Sequence, residues 1–248
     1  LRNTNPILQD AIFLKERAPL GSLIVTKDSS LRKTFGLMLL GFFSFLSLWI
    51  WNGQFVYPWP ASLFIELTAI GVLGCILSLA LVYRMRGLGF LGAISFALFL
   101  GMLIALVCSF VGGRLEGFLV LGVLISYFTL LSQIILYHSG WISFSQKIKR
   151  LGISIFLSLL FYLILRKLLL SFDVSIPSLF RWGGIPLVWA ILMSWISLQF
   201  HYYDLRNLER ALQMKLQKNF EWMLSVGLFM SWAWIPMGIL KLLTQARR

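Results

Sequence analysis

The stretch LGFLGAISFALFLGMLIALVCSFV, residues 88–111, contains no charged side chain. An α-helix crosses a hydrocarbon core of about 30 Å in roughly 20 residues. The stretch is therefore long enough to span a bilayer as a helix and far too long for one membrane strand. Within it Gly89, Ala93, Ala97, Gly101 and Ala105 recur at every fourth position. That period sets small side chains along one helix face, where a second backbone can approach closely. The face is a packing seam, either static or sliding.

Apolar runs of similar length lie on both sides of it, at about 32–52, 62–83, 116–137, 151–172, 184–203 and 222–243, which makes seven spans in all. Only helices and closed barrels satisfy their backbone groups in lipid. Barrel strands are shorter and alternate in polarity, so the sequence predicts an all-α integral membrane protein of seven transmembrane helices. Short polar joints between the spans favour antiparallel neighbours. The domain organisation is an N-terminal arm, residues 1–30, and a seven-helix transmembrane domain, residues 31–248, with no internal repeat. Composition agrees: 59% of residues are hydrophobic, 12% are charged, and mean hydropathy is +0.85. A soluble domain is about one quarter charged, so this chain takes lipid as its main solvent.

The net charge of +13 does not point to nucleic acid. Its Lys and Arg sit in short patches between apolar runs rather than on one polar face. They report topology instead. With the N-terminus cytoplasmic, the inner segments (through Lys33, then 84–86, 147–150 and 206–218) carry fifteen basic residues and the outer ones seven. Tyr57 and Trp59 outside, and Tyr202 and Tyr203 inside, suit interfacial aromatic belts. Residues 1–30 hold no continuous apolar segment and do not read as a signal peptide. Cys75 and Cys108 both lie within apolar runs and behave as small hydrophobes.

Few residues carry chemistry. Walker A, GxSxG and HExxH motifs are absent from the sequence, as is any nucleophile–base pair, so neither enzymatic activity nor a cofactor is expected. His201 and Asp204 share a helix face, but two ligands make a poor metal site. Arg166 and Lys167 lie near the outer end of the fifth span, where long basic side chains snorkel to headgroups. Glu66 is a lone carboxylate near the outer start of the second span, which helix geometry can bury, and Glu116 is interfacial. Ser231 precedes Pro236 in SWAWIPMG, where a proline-bent helix beside a hydroxyl can line a water cavity or simply bond back to itself. Ser231, Pro236 and Glu66 are the candidate pore-lining residues. Asp204 has two readings. It is a helix end facing the cytoplasm, or an acid latched to Arg84 or Arg86, whose release follows protonation.

Several segments resemble the Bax-inhibitor (transmembrane Bax inhibitor motif) family. SSLRKTFGLMLLGFFS is similar to the start of its first helix, LGFLGAISFALFLGMLIAL to its third, and SYFTLLSQIILYHSGWISFS to its fourth with the following loop. HYYDLRNLE is similar to the tyrosine–aspartate segment of its sixth, and LFMSWAWIPMGILKLL to its last. Order and spacing over residues 31–243 carry the resemblance. It implies six helices around a central seventh and a pH-sensitive leak of cations, chiefly calcium, with protons as the other candidate. For bacterial members it also implies regulation of a membrane-bound protease. The bacterial inner membrane is the expected location. The family's helix-six aspartate corresponds to Asp204, and its helix-two arginine to Arg84, with Arg86 one register away. Where the family has a second aspartate in helix seven, this chain has Ser231. The alternative reading is a non-conducting membrane protein that binds and restrains a protease or another integral partner.

Overall fold

A computed structural model describes residues 24–54, 61–111, 113–140, 147–174, 176–179 and 184–246. Among the described residues, seven α-helices run in chain order: α1 Lys27–Gln54, α2 Ala61–Arg84, α3 Gly89–Val111, α4 Gly113–Ser139, α5 Lys147–Leu170, α6 Ile185–Gln213 and α7 Glu221–Ala246. By length and composition six of them, α1 to α6, can cross a membrane. The seventh is present as a helix, continuous through Pro236, but is not among those six. The aromatic belt residues Tyr57 and Trp59 lie outside the described residues.

The chain divides into two compact units, residues 1–110 with 203–231, and residues 111–202 with 232–248. In the first unit, α3 presents the small-residue face that the sequence predicts. Ala93, Ala97 and Ala105 are fully buried. A Cβ on Gly101 would stand 2.2 Å from the Gly41 carbonyl oxygen of α1, so only glycine lets these two backbones meet. Ser44 of α1 donates to the Leu98 carbonyl of α3 at 2.8 Å alongside, and Phe96 meets Phe229 of α7 edge-to-face. On α2, Ser78 and Val82 crowd Gly92 of α3. The opposite face of α2 exposes Ile65, Leu73, Ile76 and Leu77, as expected of a surface solvated by lipid.

In the second unit α4 is the most enclosed of the six apolar helices. It packs along α5. Tryptophans tie the packing down by donating to α4 carbonyls, Trp189 to Phe118 at 3.0 Å and Trp232 to Val123 at 3.2 Å. α4 stops at Ser139 because Gly140 adopts φ +68°, the left-handed conformation that closes a helix C-terminus and costs glycine least. After α5 the chain turns through Asp173 and folds Ile176 and Leu179 inward, and the Tyr162 hydroxyl donates to the Pro177 carbonyl.

Candidate functional site

Asp204 does not end a helix. The sequence places the end of the sixth span at about 203, whereas α6 continues to Gln213. The reason lies in the segment's own pattern. Leu205, Leu208 and Ala211 recur at helical spacing and are fully buried, and Asn207 is nearly so. Arg206 and Arg210 occupy the exposed face. The extra turns are thus held by packing inside the first unit, and Asp204 is carried inward with them, to 5% exposure.

Ser231 of α7 meets it. The Ser231 hydroxyl donates to Asp204 Oδ2 and lies 3.4 Å from the Gly227 carbonyl one turn back. Both side chains are buried. A carboxylate removed from water must be compensated by hydrogen bonds or countercharge, and a hydroxyl donor to an ionised acceptor is among the stronger single contacts available. Of the two readings of Ser231, the approach to its own helix is present at Gly227, and Asp204 is the inter-helix partner.

The remaining candidates are distributed differently. Arg84 is exposed in the last turn of α2. Arg86 lies in the 3₁₀ turn Arg86–Leu88, which packs against a second such turn, Lys218–Phe220, just before α7. The side chains of Arg86, Glu116 and Pro236 lie outside the described residues. Glu66 is exposed on α2 rather than buried. Arg166 is half-buried and Lys167 exposed. His201 is fully buried. Among the described residues no group of three His, Cys, Asp or Glu side chains could hold a metal ion.

One further cluster has no counterpart in the sequence pattern. Glu221, the first residue of α7, is buried and gathers the start of α1 around it. Its Oε1 accepts from the Thr26 amide at 3.1 Å, and its Oε2 accepts from Ser29 Oγ at 2.5 Å and forms an ion pair with Lys33. The Lys33 ammonium also sits 4.7 Å from the centre of the Trp222 ring. Thr26 is the N-cap of α1, its Oγ1 lying 3.4 Å from the Ser29 amide. In a capping box the third helical residue returns a carboxylate to the N-cap amide. Here Ser29 occupies that position and Glu221 supplies the carboxylate from another helix. Val25 N–H donates to the Leu216 carbonyl at 2.9 Å, extending the junction outward. Burial alone would push the Glu221 carboxyl up. The Lys33 and Ser29 hydrogen bonds, the Thr26 amide and the Lys33 charge outweigh burial and hold it below its ordinary 4.5. The signal in the sequence is an acid directly preceding an apolar span, but no local pattern links it to residues nearly two hundred positions earlier.

The family described as Bax inhibitor 1 like matches residues 5–248. No curated protein matches the chain, and no solved structure does.

Proposed function

The chain belongs to the Bax inhibitor 1-like family and is an integral multi-pass membrane protein by its apolar helices, and from that premise we propose that it is a pH-sensitive cation leak pathway controlled at Asp204. The observation that carries this reading is the burial of the Asp204 carboxylate against the Ser231 hydroxyl. In a membrane-spanning bundle, a buried ionisable group is retained at a cost to stability, which favours a role in moving or holding charge.

The mechanism has two states. Ionised Asp204 attracts an arginine, Arg84 at the end of α2 or Arg86 in the turn that follows, and the inner mouth is closed. Protonation removes that attraction and shifts the population towards the open state. Ser231 contributes a hydroxyl where a second carboxylate would otherwise add charge. One carboxylate balances one positive charge, so protons compete on favourable terms with calcium for this site. The basic excess near the N-terminus and over residues 206–218 supports an N-terminus on the cytoplasmic side, and the membrane we assign is the bacterial inner membrane.

Purified protein in liposomes carrying an internal calcium or pH indicator tests the proposal. The expected result is a flux above that of empty liposomes which rises on acidification. Liposomes as tight as protein-free controls at every pH would overturn it.

A further inference from the structure

The second unit contains a line of buried polar side chains that the reading of Asp204 does not use. Ser194 of α6 is its best-anchored member. Its hydroxyl lies 3.0 Å from Ser158 Oγ of α5 and 3.4 Å from Thr129 Oγ1 of α4. A second cross-link, Gln133 to Ser154 at 2.7 Å, joins α4 to α5 nearby. Along α6, positions 194, 197 and 201 fall on one helix face.

Ser197 and His201 continue that face but lack what Ser194 has. Both are fully buried. Among the described residues, Ser197 Oγ and both ring nitrogens of His201 have no hydrogen-bond partner. The main chain of Ser126 acts on the imidazole, but no hydrogen bond of ordinary distance and angle reaches either ring nitrogen. Buried hydroxyls elsewhere in this unit resolve the same problem locally: Thr129 bonds to the Ile125 carbonyl, and Ser132 to Phe128. Ser197 does not. A neutral imidazole presents one N–H donor and one bare acceptor, and polar groups so placed are ordinarily satisfied by protein or by ordered water.

The chemistry selects the ligand. The molecule at one ring nitrogen must accept, the molecule at the other must donate, and a serine hydroxyl can bond to either as donor or acceptor. A cation cannot accept, and an anion cannot donate. We propose that Ser197 and His201 bind water, forming a hydrated file within the α4–α5–α6 packing of the second unit. The file is independent of the Asp204 reading, and a chain that conducts no cation can still contain it.

Histidine occurs only twice in the sequence, at 138 and 201, and His138 is exposed near the end of α4. Solid-state NMR on the full chain in lipid bilayers, labelled with ¹⁵N at the imidazoles, therefore reports both, with His138→Gln supplying the assignment. Magnetisation transferred from water should reach the His201 ring on a timescale comparable to His138. Arrival no earlier than at methyl groups of fully buried Leu124 would overturn the proposal. Ser197→Val should slow transfer to His201 severalfold and leave His138 unchanged. Unchanged transfer at both rings would remove Ser197 from the file.

Discussion

Ser231 donates its hydroxyl hydrogen to the carboxylate of Asp204, and both groups are withdrawn from solvent. The contact joins α6 to α7, and the buried acid is met there by a neutral donor.

Ser231→Ala should therefore destabilise the protein while leaving the acid in place. A hydrogen bond to a charged group contributes about 1.5–3 kcal/mol, and its loss should appear as a lower midpoint of thermal unfolding in detergent. Ser231→Thr retains the hydroxyl and should recover most of that loss. An unchanged midpoint for the alanine variant would mean that the contact contributes nothing to stability.

Ser231→Asp places a second carboxylate beside the first. Two neighbouring carboxylates disfavour simultaneous ionisation, and one of them takes up a proton more readily. The variant should raise calcium flux relative to proton flux in liposomes and move its pH dependence towards neutral. A flux ratio and pH profile identical to those of the native protein would show that position 231 does not set ion preference.

The Glu221 junction has a pH dependence of definite sign. Its carboxyl is held below the ordinary 4.5 in the folded protein, so the stability it contributes is fully present above 4.5 and is lost only as pH falls through the lower, folded value. Hydrogen exchange at the Val25 and Thr26 amides should stay slow down to 4.5 and accelerate further into acid. Glu221→Gln should abolish that acid step. Lys33→Met, which leaves the carboxylate without its countercharge, should cost about 2 kcal/mol.

Gly101→Ala should be poorly tolerated, because its Cβ would stand 2.2 Å from a backbone oxygen and neither helix can yield by a side-chain rotation. The expected loss is about 1–3 kcal/mol. A Cβ added to Gly36 in α1 would meet nothing within 4 Å, so Gly36→Ala should stabilise by up to about 1 kcal/mol. Equal unfolding midpoints for the two variants would contradict the close approach of α1 and α3.

Much of this architecture is legible in the sequence because lipid imposes a simple grammar. Apolar runs such as 88–111 have to become helices, and a four-residue period of small side chains has to find another backbone. Asp204 stands out in the sequence, but its setting does not. The segment DLRNLERALQ reads as leaving the bundle, since Arg206 and Arg210 dominate its polarity, while Leu205 and Leu208 keep it packed. Helix geometry allows Glu66 a buried position, and it lies instead on the exposed side of α2. The Glu221 cluster is tertiary from the outset. Thr26, Ser29 and Lys33 are ordinary residues for the start of a helix, and only the fold brings the carboxylate to them. In sequence His201 is half of a poor metal site, while the missing hydrogen bonds that make it interesting belong to packing alone.

The central claim is that the Asp204 carboxylate controls passage of cations, and its most direct test is calcium flux through liposome-reconstituted native protein and Asp204→Asn, measured in parallel across pH. Asparagine keeps the size of the side chain and can accept from Ser231, but it carries no charge and does not titrate. The account predicts a native flux that rises on acidification and an Asp204→Asn flux that stays high at every pH. Identical flux and identical pH dependence in the two proteins would contradict it.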